Sequence, residues 1–249
     1  VLPGANRQNI PEAISNPLGA VPVRALARNT WLPPDVKASE DFPGNGPWWS
    51  RHPFWQRQAR VKEKQQIRVR MRQVRRDHAA SLPTSTLALI MMRPPAPIVE
   101  MIPEGATVGI YNATEEEAPT GGYARWLHES GRPVALPWFA DRKAPMQFRI
   151  WANPFAEELV EGPFGPQPDS ANSLVIPSAL FMPLVAFTAN CERLGQGGGY
   201  YDRWLAANPD TITIGMAWDQ QLVDHLPIEP HDQNLQAVVT PTRIFRSPS

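Results

Sequence analysis

The sequence has a single cysteine, Cys191, which excludes an intrachain disulfide and any metal site built from several cysteines. It has no excess of charge of either sign, because 24 basic residues balance 24 acidic ones. A balanced chain exerts no general attraction on nucleic acid, so we expect no nucleic-acid partner. The longest apolar run, 87–92, is far shorter than the roughly 20 residues of a membrane span, so we expect no membrane association. The lack of disulfides fits a reducing compartment, either the cytoplasm or, alternatively, the mitochondrial matrix.

Residues 1–56 lack the periodicity of either a helix or a strand. They hold nine of the 29 prolines and four of the nine tryptophans. Prolines at this density interrupt both kinds of element, which predicts an irregular or flexible N-terminal extension. The tryptophans leave open an arm that lies on the following domain or on a second subunit, because disordered segments contain few aromatic residues. The chain starts at Val1 instead of a methionine, which indicates a processed or incomplete chain.

Residues 60–76 change abruptly in character, since they contain eight basic residues and one acidic residue. Three apolar residues in this segment follow the spacing of one buried helical stripe: Ile67, Met71 and Val74. At about 100° per residue, Lys64, Arg68 and Arg75 fall beside that stripe, where a helix could present them at the edge of a cleft. A solvated basic face and a nucleic-acid-binding helix are the alternatives.

Seven downstream segments have the composition of strands: 106–111, 133–137, 147–151, 173–177, 180–187, 211–218 and 235–240. Helical patterns lie between several of them, near 84–92, 122–130 and 199–207. This alternation predicts an α/β domain over residues 57–249, with a single open, largely parallel sheet flanked by helices. The nearly continuous apolar character of 180–187 indicates a sheet that is covered on both faces. Ligands bind at the carboxyl ends of the strands in such sheets, and a glycine-rich loop follows 180–187 closely.

That loop lies in the segment RLGQGGGYYDRWL, residues 193–205, which places four glycines among the five residues 195–199. It precedes a predicted helix, whose free N-terminal amides would attract phosphate. Arg193 could add a charged contact, and Asp202 offers the oxygen ligand that Mg²⁺ prefers. The spacing matches neither a P-loop nor the dinucleotide-binding fingerprint. A tight structural turn is therefore the alternative to phosphate binding.

Taken with its neighbours, the segment closely resembles the signature of the 5-formyltetrahydrofolate cyclo-ligase (5,10-methenyltetrahydrofolate synthetase) family. Five further segments follow in the family's order: KQQIR (64–68), EAPT (117–120), LPWFADRKAPMQF (136–148), LVIPSALFMPLVAFTANCERLG (174–195) and GMAWDQQLVDHLPIEPHDQNLQAVVT (215–240). The likeness covers about residues 60–243. It implies a single open α/β domain that converts 5-formyltetrahydrofolate to 5,10-methenyltetrahydrofolate, with ATP and Mg²⁺, and releases ADP and phosphate.

The resemblance also implies a role for each matching position. The nucleotide would contact Lys64, Arg68, Arg193, Leu194, Gly195, Gln196, Gly197, Gly198, Gly199, Tyr200 and Tyr201. The folate, with or without a polyglutamate tail, would contact Glu117, Gln196, Gly197, Gly198, Gly199 and Tyr200. Asp202 and Asp232 would bind Mg²⁺, and Arg193 and Tyr200 are the expected catalytic residues.

The implied reaction requires no enzyme nucleophile, because the formyl oxygen is phosphorylated and N10 then closes the ring as phosphate departs. We therefore expect Cys191 to be a packed bystander. His231 is expected to orient its neighbour Asp232, with a role as general acid or base as the alternative. Many family members have tyrosine where this chain has Gln196, and a glutamine cannot stack on the folate. The alternatives are a non-catalytic relative that binds folate or a protein partner, and an RNA-associated protein with a basic helix. The sequence indicates neither the oligomeric state nor a preference for polyglutamate tails.

Overall fold

The structure is a computed structural model that describes residues 53–87, 89–155, 159–229 and 232–248. The chain separates into two units between Glu63 and Lys64, and only residues 53–63 of the first unit are described. The predicted extension over residues 1–56 therefore lies almost wholly outside the described residues, as does His231. The fold and the candidate site below belong to the second unit.

The described helices are α1 Pro53–Ser81, α2 Thr84–Leu87, α3 Ala96–Val99, α4 Gly121–Glu129 and α5 Tyr200–Ala207, with a 3₁₀ turn at Asp219–Gln221. The described strands are β1 Val108–Gly109, β2 Val134–Trp138, β3 Gln147–Ile150, β4 Val160–Gly162, β5 Gly165–Gln167, β6 Leu174–Val175, β7 Ala179–Pro183, β8 Ala186–Phe187, β9 Arg193–Leu194, β10 Ile212–Met216, β11 Ala237–Val239 and β12 Ile244–Arg246.

The main sheet has eight strands in the order β12-β11-β10-β7-β1-β2-β3-β6. Its five central strands, from β11 to β2, run parallel to one another. Antiparallel strands extend it at both edges, with β12 on one side and β3 and β6 on the other. The predicted α/β class with a single, largely parallel sheet is therefore confirmed.

Apolar side chains of the central strands alternate between two buried clusters, one on each face of the sheet. On β7, Phe181 joins the cluster that contains residues of α4, whereas Leu180 and Met182 join the cluster that contains residues of α5. All three side chains are at most 1% exposed. A strand buried on both faces needs apolar residues at successive positions, which explains the continuous apolar run seen in the sequence.

Two of the predicted elements have different bounds in the structure. Residues 180–187 were expected to form one strand, but β7 ends at Pro183, and Ala186–Phe187 pairs with β9 in a separate two-stranded ribbon. A proline has no amide hydrogen with which to continue the ladder. The helix predicted near 84–92 stops at Leu87, and Met91 has a φ of 55°, which a helix does not permit.

The apolar stripe predicted for α1 is confirmed. Met71 is buried against Val185, Leu194 and Leu226, with Ile67 and Val74 packed beside it. The same helix also buries Lys64 and Arg75, which are 7% and 4% exposed, so the alternative of a solvated basic face is wrong for these two side chains. Within the described ranges, no helix has both the length and the apolar character required to cross a membrane.

Candidate active site

Helix α1 places its buried lysine against two carboxylates from the C-terminal segment. Lys64 Nζ lies 2.7 Å from Glu229 Oε2 and 2.6 Å from Asp232 Oδ2. Asp232 Oδ2 also accepts a hydrogen bond from the backbone amide of Glu229 at 2.8 Å. The structure therefore brings a residue expected to hold phosphate into direct contact with one expected to hold Mg²⁺. Glu229 was missed by the sequence analysis, because its spacing to Asp232 matches no motif by itself.

One turn later on α1, Arg68 contacts the glycine-rich loop, residues 195–199. Its Nε donates a hydrogen bond to Gly195 O at 2.9 Å. Burial lowers the pKa of Arg68 from its ordinary value, and the positive charge of Arg72 lowers it further. Gly197 has a φ of +103°, and a Cβ at this position would lie 3.4 Å from Arg68 Cζ. The positive φ favours glycine at position 197, whereas a Cβ at 3.4 Å would make only ordinary van der Waals contact with Arg68.

Arg72, a further turn along α1, holds the loop from its outer side. Its Nε donates to Gln196 Oε1 and its Nη2 donates to Gln196 O, each at 3.0 Å. The glutamine side chain thus makes a contact with α1 in this chain, instead of the aromatic stacking that a tyrosine would offer. The sequence analysis missed Arg72 because periodicity identifies the buried stripe of α1 but does not show which other residues of α1 contact the loop.

The loop ends at the N-terminus of α5, where several donors have no protein acceptor. Gly199 is the N-cap residue, with a φ of 64° and no side-chain cap. Within the described residues, the backbone amides from Gly195 to Gly199 donate no hydrogen bond. Arg193 Nε is likewise buried without a partner there. Gln196, Gly197 and Gly198 are exposed, so their amides are accessible to a ligand, whereas the unpaired Arg193 Nε is buried. Free donors at a helix N-terminus attract anions, so this part of the loop is suited to an anionic ligand.

Asp202, in the first turn of α5, forms an ion pair with Arg193. The Asp202 carboxylate is one-third exposed, whereas the Arg193 side chain is only 5% exposed. Among the residues that the structure describes, no group of three or more His, Cys, Asp or Glu side chains is arranged to hold a metal. The assignment of Asp202 and Asp232 to Mg²⁺ therefore stays a prediction, and each carboxylate is paired with a cation here.

Glu117 lies in a separate polar cluster beside α1. Its Oε1 accepts from Arg75 Nη1 at 3.2 Å, and its Oε2 accepts from the backbone amide of Thr114 at 3.1 Å. Burial raises the pKa of both Tyr111 and Tyr201, and the negative charge of Glu117 adds to each shift. Both tyrosines are therefore neutral donors or acceptors at physiological pH. Glu117 is held by two donors, which fixes its orientation.

Tyr200 packs in a cluster of aromatic rings. The Tyr200 ring contacts Phe139 and Phe164 with centroid distances of 5.0 and 5.2 Å, and its hydroxyl donates to Arg142 O at 2.8 Å.

Cys191 is fully buried, and burial raises the pKa of its thiol to about 11. It therefore stays protonated at physiological pH, as expected of a packed bystander.

The family model described as "5-formyltetrahydrofolate cyclo-ligase family" matches residues 60–241, nearly three quarters of the sequence. The chain belongs to the 5-formyltetrahydrofolate cyclo-ligase family. The resemblance stated from the glycine-rich loop and its five companion segments is therefore confirmed. The match begins within α1 and ends just after β11, so it includes every candidate site residue named above.

Similar proteins agree with this assignment. The 5-formyltetrahydrofolate cyclo-ligase of Escherichia coli (strain K12) is 33% identical over 145 residues, which cover 56% of this chain and 80% of that protein. The cyclo-ligase of Mycolicibacterium smegmatis is 31% identical over 146 residues, which cover 56% and 75%. The solved structure of Aquifex aeolicus 5,10-methenyltetrahydrofolate synthetase covers 75% of this chain and 93% of its own, with a TM-score of 0.60 and 21% identity. At that identity, the structural match supports the cyclo-ligase fold and not the roles of individual residues.

Proposed function

We propose that the protein is a 5-formyltetrahydrofolate cyclo-ligase that forms 5,10-methenyltetrahydrofolate and consumes ATP. The observation that carries the proposal is the contact of Arg68 with a glycine-rich loop that has unpaired amides, one turn along α1 from Lys64 and with Arg193 just before the loop, in a chain of this family. ATP supplies the phosphoryl group that turns the formyl oxygen into part of a good leaving group. The protein's contribution is then to position the reactants and to neutralise charge.

The phosphate groups of the nucleotide would bind at the loop. The amides from Gly195 to Gly199 and the buried Arg193 Nε are donors without protein acceptors among the described residues. Phosphate oxygens would accept from them, helped by the positive end of the α5 dipole. Lys64 and Arg68 lie on the adjacent face of α1 and would add charge.

The charges around the loop support a role for a divalent cation. Three carboxylates beside the loop already contact two of the cations there: Glu229 and Asp232 contact Lys64, and Asp202 contacts Arg193. These carboxylates offset part of the positive charge that nucleotide phosphates would meet. Asp202 and Asp232 offer the hard oxygen ligands that Mg²⁺ prefers, and the cation would offset the added charge.

The folate would lie between the loop and Glu117. Each Glu117 oxygen accepts one hydrogen bond in the structure and keeps a second lone pair, so the carboxylate can also accept from pteridine N–H groups. Gln196 to Tyr200 would face the formyl-bearing part of the ring. Arg193 would stabilise the negative charge on the transferred phosphoryl group, and Tyr200 would hold the folate against the loop.

The decisive test is the absorbance change on formation of methenyltetrahydrofolate, measured with the full chain, with and without ATP and Mg²⁺. We expect turnover only when both are present. Asp202→Asn should lower turnover by about two orders of magnitude or more, because it removes an anionic ligand and the partner of Arg193 with little change in volume. Asp210→Asn, in the exposed turn after α5, is the matched control and should retain wild-type activity. Folate binding without turnover would instead favour the non-catalytic relative.

A further inference from the structure

Arg75 connects helix α1 to two neighbouring carboxylates. Its Nη1 donates a hydrogen bond to Glu117 Oε1 at 3.2 Å, and its Nη2 donates to Glu116 Oε2 at 3.4 Å. The side chains of Arg75 and Glu117 are 5% and 11% exposed, whereas that of Glu116 is one-third exposed. Because water screens a buried pair much less than an exposed one, the contact with Glu117 is the stronger of the two.

The backbone around Glu117 is fixed without Arg75. The carbonyls on either side of this residue accept hydrogen bonds, one from Trp218 Nε1 at 2.9 Å and one from the Tyr111 hydroxyl at 2.8 Å. The amide of Thr114 holds the carboxylate by Oε2, and Arg75 donates the hydrogen bond that fixes Oε1. Loss of Arg75 would therefore release the side chain of Glu117 and leave its backbone in place.

Helix α1 also connects Arg75 to the glycine-rich loop. Arg68 lies seven residues earlier on the same helix, and its Nε donates to Gly195 O at 2.9 Å. Seven residues make almost two turns, so both arginines lie on the same face of α1, about 10 Å apart along its axis. One helix thus sets the separation between the loop proposed to bind phosphate and the carboxylate proposed to bind the pteridine.

We propose that Arg75 is a positioning residue, which orients Glu117 so that the free lone pairs of its carboxylate meet the pteridine N–H groups. The inference rests on the proposed function, which places the folate between the loop and Glu117. Two N–H groups of a flat ring require both carboxylate oxygens to lie near the plane of that ring. A glutamate side chain has three torsions, and a donor on each oxygen removes that freedom before the ligand binds.

The loss of this contact should change KM for the folate and not kcat. The N–H groups that a carboxylate can pair with lie on the pyrimidine half of the pteridine, away from N5, which carries the formyl group. A contact remote from the reacting atoms is the same in the ground state and in the transition state. Its removal therefore weakens substrate binding without slowing the chemical step.

The test measures kcat, KM for 5-formyltetrahydrofolate and KM for ATP with the full chain. Arg75→Leu should raise KM for the folate about tenfold, with kcat and KM for ATP within about twofold of the wild type. Arg75→Lys keeps the charge but lacks the planar fork of donors, so it should raise KM for the folate about threefold. If the leucine variant does not fold, the lysine variant carries the test. An unchanged KM for the folate, or a loss confined to kcat, would overturn the inference.

Arg76→Leu is the matched control. Arg76 is the next residue of α1, its side chain is 57% exposed, and its Nε donates to Glu116 Oε1 at 2.9 Å. This variant removes the same charge from the same helix without touching Glu117, so all three kinetic parameters should be unchanged. Glu116→Gln, which removes the other partner of Arg75, should likewise leave KM for the folate unchanged. An equal rise in KM for Arg76→Leu and Arg75→Leu would assign the effect to the charge of α1 and overturn the inference.

A binding measurement separates this inference from the proposed function. Calorimetric titration with 5-formyltetrahydrofolate, without ATP, does not depend on turnover. Arg75→Leu should weaken binding about tenfold in the wild-type background and at most about twofold in the Glu117→Gln background, where no carboxylate remains to be oriented. Absence of turnover in a wild type that binds the folate would contradict the proposed function alone, whereas additive effects of the two substitutions would contradict the role of Arg75 alone.

Discussion

Replacing Lys64 with methionine should destabilise the fold by about 3–5 kcal/mol, because the change leaves two neighbouring carboxylates without their shared cation. Nζ lies 2.7 and 2.6 Å from the oxygens of Glu229 and Asp232, and the three side chains are 8%, 12% and 18% exposed. Water therefore reaches these groups too little to screen the loss fully. Methionine keeps an unbranched apolar side chain of similar length, so the expected effect comes chiefly from the charge.

A second substitution shows whether the cost comes from the two carboxylates that lose their contact with Lys64. Asp232→Asn removes one negative charge, and in the Lys64→Met background it should recover about 1–3 kcal/mol relative to the sum of the two single changes. The control is Arg70→Met, an exposed position on the same helix, which should change the free energy of unfolding by no more than about 0.5 kcal/mol.

The free energy of unfolding is measured by urea denaturation of the full chain for the wild type, both single variants and the double variant. A thermal-shift series with ATP and Mg²⁺ then tests the role of Lys64 in nucleotide binding. A ligand at a hundred times its Kd stabilises a protein by about 2.7 kcal/mol, and Lys64→Met should lose most of that gain. Equal unfolding free energies for wild type and Lys64→Met, with additive effects in the double variant, would refute the reasoning.

Three further predictions concern the loop and its surroundings. Gly197→Ala should reduce turnover at least tenfold and lower stability by about 1–3 kcal/mol, because its φ of +103° is unfavourable for alanine; Gly121→Ala, with open space around it, is the control. Burial lowers the pKa of His78, so the unfolded chain takes up the proton first and stability should fall as pH decreases below about 6.5. His78→Gln should flatten that dependence in urea unfolding between pH 5 and 7, and an unaltered slope would contradict it. Arg72→Gln and Gln196→Ala should each raise KM for ATP, and their effects should be non-additive in a double-mutant cycle, since the two side chains contact each other. Additive effects would show that the two side chains act independently and would contradict this prediction.

Periodicity and composition were sufficient for most of the fold. The stripe on α1 was predicted correctly, with Met71 at its centre, because a 3.6-residue period shows directly which face of a helix is buried. The alternation of strands and helices likewise predicted the parallel centre of the sheet. The break after Pro183 was missed because apolar residues continue beyond it, and hydrophobicity does not record where a ladder loses a donor. The β4–β5 hairpin was missed because Gly-Pro-Phe-Gly-Pro contains too few strand-forming residues to stand out.

The sequence predicted which residues belong to the candidate site, but not which of their side chains contact each other. Lys64 and Asp232 are 168 residues apart in sequence, and the resemblance assigns them to different ligands, yet their side chains are in contact. The physical reason is that a cation buried on α1 needs a compensating charge even without a ligand, since an unpaired buried charge is strongly unfavourable. The same condition accounts for the ion pair between Arg193 and Asp202. Under the proposed function, phosphate would replace carboxylates as the partner of Lys64 and Arg193, and Mg²⁺ would bind the carboxylates that are released. Binding of only one of the two ligands would leave unpaired charges in the site. The two ligands should consequently bind more tightly together than separately, a coupling that titration of nucleotide with and without Mg²⁺ would measure.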